Sequence, residues 1–341
     1  MQNQWQTLLN TLSPGLTAQL QSPAYTPEIG YLSCLTEFET LNITGPDRLT
    51  FLQGQMTCDF TTIGGKLLIG ANCNLKGRAS ATFYAIDNTA NETTQLILPT
   101  GQATYLKGLL DKYALFSKAE LSAENEEQVV IGLIGEQSLA ITGIASLESN
   151  QSVNIAQGNV SRVNDTNLFL CIINTELAQQ WINAISENTT TDKSLVIAHQ
   201  NIWNQQQIAS GISHVTTTCQ DLFIPQELNY DLIDGISFTK GCYKGQEIIA
   251  RLHYRGSYKQ RTCRFQCKTD AEPMPGTSIY SKNTDQPCGQ VVQSCSTNDG
   301  IELLAVMKIK MLESETLHLD QKDGPIIHGL TLPYAITNEE A

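Results

Sequence analysis

No apolar run of about 18 residues, the length needed to cross a bilayer as a helix, occurs anywhere in the chain. No membrane-spanning helix is therefore expected. The opening Met1-Gln2-Asn3-Gln4-Trp5-Gln6 also lacks the basic start and apolar stretch of a secretory signal. The expectation is a cytoplasmic protein. Cations are scarce: 21 Lys and Arg stand against 34 Asp and Glu, for a net charge of −13, which argues against a surface that binds nucleic acid all round. The five histidines are scattered and form no Ser-His-Asp pattern. The ten cysteines include no paired C-x-x-C, and their spacing does not suit an iron–sulfur cluster. No metal site is expected; most of these cysteines read as reduced, small core hydrophobes.

What is present is a long and apolar enough chain. With 341 residues, 41% of them apolar, it can bury a large core in two or three domains. The distinctive stretch is Lys240-Gly241-Cys242-Tyr243-Lys244-Gly245-Gln246-Glu247, followed by Ile248, Ile249, Ala250 and Arg251. Glycines permit positive φ and close backbone approach, so this reads as a loop that brings Lys240, Cys242 and Tyr243 to a surface. A helix then starts after Gly245. Glu247 suits its positive end, and Glu247 with Arg251 has the favourable order for a helical ion pair. Cys242 lies between Lys240 and Lys244 just before that helix, features that favour a thiolate, so it is the candidate reactive thiol.

Basic charge is concentrated here. Lys240, Lys244, Arg251, Arg255, Lys259 and Arg261 face the single acid Glu247, six minus one, or +5 locally. Such a focus should attract an anion, either a phosphate backbone or a polycarboxylate tail. A solvated basic face would look the same.

Along the chain, residues 1–35 read as a helix (Trp5, Leu8, Leu9, Leu12) and a Pro-rich lead-in. A strand over 36–43 is followed by a helix start at Thr44-Gly45-Pro46-Asp47, where Thr44 could cap and Pro46 suits the first turn. Strands over 66–73 and 78–86 flank the turn Asn74-Leu75-Lys76-Gly77. A strand over 94–98, a helix carrying Leu106, Leu109, Leu110 and Tyr113, and a strand near 116–121 complete a ferredoxin-like unit. A similar plan recurs weakly, with strands over 128–134, 160–163 and 168–173 and helices over 137–144 and 176–185. A further helix is predicted over 195–209. From 261 onward only short strands follow, which suggests a small β-barrel.

The Lys240–Glu247 stretch with its following Arg resembles the signature of the YgfZ family, folate-binding proteins related to the glycine-cleavage aminomethyltransferase (T-protein). Four other islands resemble the family: Asn42–Asp59, Cys73–Arg78, Phe223–Tyr230 and Gly235–Phe238. The resemblance implies two ferredoxin-like α+β units plus a C-terminal barrel, an aminomethyltransferase-like folate-binding fold. The domains are then 1–121 with 205–260, 122–204, and 261–341. It implies tetrahydrofolate or a derivative as ligand, held by Gln53, Gln55, Asp59, Lys76, Arg78, Asn229, Tyr230, Lys240, Tyr243, Glu247 and Arg251. Gln53 and Gln55 offer amides to a heterocycle edge, Asp59 a proton acceptor, Asn229 an amide and Tyr230 a stacking ring. In the hairpin 73–78, Asn74 and Leu75 stand where the family pattern carries Asp and then Pro or Ala, and Asn cannot act as a general base.

The function implied is an accessory role: a cytoplasmic monomer that supports iron–sulfur enzymes or their cluster assembly, including enzymes that modify tRNA, without free-standing activity. Two alternatives stay open: a folate-dependent aminomethyl transferase, and a direct tRNA binder using the basic cluster 240–261.

Overall fold

The computed structural model describes residues 25–124, 127–187, 195–269, 271–312 and 316–336. The helix expected around Trp5 lies outside them. The chain divides into two compact units: Met1–Arg48 with Thr62–Leu68 and Tyr84–Gln206, and Leu49–Thr61 with Ile69–Phe83 and Gln207–Ala341.

The first unit contains a six-stranded sheet. Its strands are β1 (Gly30–Cys34), β7 (Gln128–Ile134), β8 (Ser152–Ile155), β9 (Gly158–Arg162), β10 (Leu168–Asn174) and β11 (Leu195–Ala198), in the order β11-β1-β7-β10-β9-β8. Strands β7 and β10 are near-continuous apolar runs because both faces of this sheet are covered. One cover is helix α3 (Thr175–Ser186), which buries Ala178, Trp181, Ile182 and Ile185. Asn174 caps it by accepting the Leu177 N–H at 2.8 Å. On β7, Gly132 leaves room for Trp203: a Cβ there would stand 2.3 Å from the indole. The same unit holds β2 (Phe38–Thr44), β5 (Thr93–Pro99), β6 (Glu120–Ser122) and the Tyr84–Asn88 half of β4 (Ala79–Asn88), paired in the order β4-β5-β2-β6. Helix α2 (Gln102–Ala114) packs on β2 and β5 through Leu106 and Leu110.

Several expectations shift here. Strand β1, unread in the Pro-rich lead-in, is recruited by β11 in parallel and β7 in antiparallel fashion. The helix expected over 137–144 is a 3₁₀ turn, Glu136–Thr142. The helix expected over 195–209 is β11 followed by α4 (Asn201–Ala209). The strand expected from Phe116 begins at Glu120, and Leu115 and Phe116 are solvent-exposed. Both sheets carry strands beyond a minimal ferredoxin-like order.

The second unit contains most of α1 (Arg48–Gln53), β3 (Leu68–Cys73) beside the start of β4, helix α5 (Gln246–Arg255) and a closed barrel. The barrel strands are β12 (Gln260–Cys267), β13 (Ser278–Ser281), β14 (Gly289–Thr297), β15 (Gly300–Lys308), β16 (Leu317–Leu319) and β17 (Ile326–Leu330), closing in the order β12-β15-β14-β13-β16-β17. Closure removes free sheet edges. Its interior is lined by Phe265, Val291, Leu303 and Met307 together with Cys263, Cys267 and Cys288, which act as small apolar side chains. A mixed α/β chain ending in a six-stranded barrel is thus the fold class that was read from the sequence.

Candidate functional site

The loop before α5 lies in the second unit and is pinned at several points to the segment after α1. The Ser237 N–H donates to the Thr57 carbonyl at 2.9 Å, the Thr57 hydroxyl donates to the Gly235 carbonyl at 2.7 Å, and the Lys244 N–H reaches the Gly54 carbonyl at 3.3 Å. Between these ties Lys240 turns inward. Its ammonium donates to the carbonyls of Met56 and Cys58 at 2.9 and 2.6 Å, and the residue is only 9% exposed. Burial pulls its pKa down to about 8, partly offset by Cys58 and Asp59. Tyr243 is also buried, with its ring 5.2 Å from the Lys240 nitrogen, and burial raises its phenol pKa. What remains outside is Gly241 and Cys242. A Cβ on Gly241 would meet nothing within 4 Å, and Cys242 is the one exposed cysteine of ten. The loop therefore presents a single thiol from a fixed base.

The start of α5 is set by the hairpin 74–77. Gly245, at φ 84°, caps the helix where any Cβ would stand 2.5 Å from the Asn74 carbonyl. Gly77, at φ 70°, faces Ile248, and a Cβ would meet its side chain at 2.9 Å. Only glycine meets both demands at these positions. Asn74 holds the hairpin: its Oδ1 accepts the Lys76 and Arg78 N–H groups at 2.8 and 3.2 Å, and its Nδ2 donates to Asp221 at 2.9 Å. The same Asp221 oxygen accepts the Ser80 hydroxyl at 2.7 Å. An aspartate at 74 would set two carboxylates within hydrogen-bonding distance, which explains locally why this chain carries an amide there.

The other expected residues separate by what they touch. Gln53 and Asp59 are wired to each other at 2.9 Å. Gln53 also accepts the Phe60 N–H, and Asp59 accepts the Thr61 N–H and hydroxyl. These bonds to Thr61 and Gln53, with Lys240 nearby, lower the Asp59 pKa against some desolvation. The pair therefore caps the turn Phe60–Thr62. Asn229 and Tyr230, expected as an amide and a stacking ring for a pocket, are wholly buried. Asn229 donates to the Thr262 carbonyl and the Tyr334 hydroxyl, and Tyr230 donates to the Ser213 carbonyl. Asn229 also adopts φ 62°, a conformation Asn tolerates better than most residues. Lys76 and Arg78 are exposed, and the Arg78 guanidinium bonds the Leu222 carbonyl. Glu247 and Arg251 are exposed on α5, and among the described residues they form no ion pair, contrary to their spacing.

The basic cluster is likewise divided. Arg261 is 1% exposed and forms a bidentate pair with Asp231 at 2.6 and 2.9 Å, with Tyr258 stacked on its guanidinium at 3.8 Å. With Lys240 buried and Arg261 neutralised, the exposed charge comes from Arg251, Arg255 and Lys259.

Sequence reasoning missed Asn72, on β3. Its Nδ2 donates to the Gln55 carbonyl at 2.9 Å, yet its Oδ1 and the Gln55 Oε1 are buried acceptors that receive no hydrogen bond from the described residues. Each such acceptor costs about 1–3 kcal/mol while unmet, and these two are among eleven buried side-chain polar atoms without a partner among the described residues, Gln226 Oε1 and Asn229 Oδ1 included. Asn72 sits in an apolar run, Ile69-Gly70-Ala71, where one polar residue carries no pattern of its own.

Among the described residues, no group of three metal-ligating side chains occurs, and no helix is long and apolar enough to cross a membrane. No family model matches the chain. It is similar to the "tRNA-modifying protein YgfZ" of Colwellia psychrerythraea, 29% identical over 330 residues that cover 94% of this chain and 98% of that protein. The protein of the same name from Aliivibrio fischeri (strain ES114) is 26% identical over 336 residues, covering 97% and 100%. The fold resembles glycine cleavage system aminomethyltransferase T from Bartonella henselae, with a TM-score of 0.70 at 13% identity, over 89% of this chain and 85% of that one. The resemblance to the YgfZ family thus holds over nearly the whole length.

Proposed function

We propose that this protein binds tetrahydrofolate or a derivative and acts in the cytoplasm as an accessory factor for iron–sulfur enzymes, including those that modify tRNA. The observation that supports a folate most directly is the pair of unmet acceptors, Gln55 Oε1 and Asn72 Oδ1. A reduced pterin carries an amino group and ring N–H donors on one edge, which would complement carbonyl oxygens that lack a donor. Gln55 and Asn72 would hold that edge. Exposed Arg251, Lys76 and Arg78 supply cations for the glutamate tail. Bound folate would supply one-carbon chemistry. The chain's own contribution is to orient the pterin and to keep Cys242 exposed beside the helix start, where a partner protein can reach its thiol.

Aminomethyl transfer is disfavoured by Asn74. Its amide is committed to Asp221 and to the turn, and it cannot take a proton. The names of the relatives support a tRNA-related role.

Calorimetric titration of tetrahydrofolate into the wild type and Gln55→Met tests the proposal. Micromolar binding, weakened about 5- to 30-fold by loss of the one acceptor, is expected. A wild type that binds no reduced folate refutes it. Equal binding by Gln55→Met removes the pterin assignment.

A further inference from the structure

Beyond the folate reading, we propose that the C-terminal half of α5 is a docking face for an unpaired stretch of RNA, with His253 and Tyr254 as its stacking platform. At about 100° per residue, Arg251, Tyr254 and Arg255 fall within about 100° of arc. All three are exposed, and Tyr254 is 65% exposed, a large aromatic surface left in water. His253 adjoins it, with ring centroids 4.8 Å apart and planes at 72°. Phe238 covers one face of His253 at 3.7 Å and 10°, and its carbonyl accepts the Tyr254 hydroxyl at 3.4 Å. The rings are therefore ordered before any ligand arrives, so little rotamer freedom is lost on binding.

Cations flank these rings in a protein of net charge −13, so the partner that fits is a polyanion. A chain of phosphates alone would need no rings. Unpaired bases offer π-faces to aromatic side chains, whereas duplex RNA keeps its bases stacked inside. Glu247 shares the arc, and its repulsion of phosphate is outweighed by Arg251 and Arg255. The choice of RNA over a deoxy strand rests on the tRNA-related reading above; the platform itself does not.

The test is fluorescence anisotropy with a labelled, unstructured RNA, at several salt concentrations, on the full chain. Stacking on Tyr254 predicts a loss of about 5- to 100-fold in affinity for Tyr254→Ala, with an unchanged salt slope and near-complete recovery in Tyr254→Phe. Arg251→Ala and Arg255→Ala should each flatten the slope by about 0.7. Equal affinity for duplex RNA, or no change in Tyr254→Ala, overturns the platform. Tyr254 is exposed, so its variants should fold, and a thermal melt checks this. Tetrahydrofolate titration of Tyr254→Ala should match the wild type, so failure of the folate reading and failure of this one give different results.

Discussion

Lys240 and Arg261 open and close one basic stretch, and Arg251 and Arg255 stand in its middle, yet the two pairs do opposite work. The outer pair is buried. Lys240 satisfies two backbone carbonyls, and Arg261 neutralises Asp231. The inner pair lies on the solvent side of α5. Charge of one sign therefore serves as an internal strut at the ends of the stretch and as a solvent-facing surface in its middle. The distinction follows from what surrounds each side chain: a buried cation must find acceptors or a counter-charge, and an exposed one need not.

Substitutions should separate the two roles. The largest effect is expected at Arg261→Ala, which strands the Asp231 carboxylate in the interior. A loss of about 3–5 kcal/mol in denaturant unfolding would mark it as a strut. Lys240→Ala should follow at about 2–3 kcal/mol, from two carbonyls left without donors. It should also release the loop, so that Cys242 reacts with a thiol reagent at an altered rate. On the proposed folate reading Lys240 acts only through this anchorage, so its loss should weaken binding in proportion to the loosened loop.

Gly245→Ala combines positive φ with a clash on the Asn74 carbonyl, and about 1–3 kcal/mol of destabilisation is expected by the same measurement. Arg251→Ala and Arg255→Ala should stay within about 0.5 kcal/mol of the wild type. A large loss at either would break the comparison.

Titration sharpens it further. The Lys240 pKa is lowered to about 8 on folding, so between that value and the ordinary lysine range the unfolded chain binds more protons than the folded one. Stability contributed by this group should therefore rise with pH across that window, and the rise should vanish in Lys240→Met. The latch itself should persist, because a neutral amine keeps two N–H groups for its two carbonyls.

Part of this was legible from the chain. Local signals marked the elements that rest on neighbours in sequence: a helix start near Thr44–Asp47, although Thr44 itself ends β2 and α1 begins at Arg48, the turn Asn74–Gly77, the phase of Trp181 and Ile185 on α3, and the short strands of the barrel. Elements that rest on distant partners were missed or misjudged. Strand β1 exists because β7 and β11 pair with it, and β11 is a strand because β1 is its parallel neighbour. Tyr254 was passed over because an exposed ring in a basic helix looks like ordinary surface.

The sequence by itself determined that there is a loop at 240–245, that a helix follows Gly245, and that cysteine, basic charge and glycine meet there. Only the tertiary structure decided which of those residues face inward. Lys240 and Arg261 are buried because Met56, Cys58 and Asp231, remote in sequence, come within hydrogen-bonding distance of them. Orientation depends on partners that spacing along a chain does not specify, whereas turns and helix starts depend on backbone conformations that neighbouring residues set.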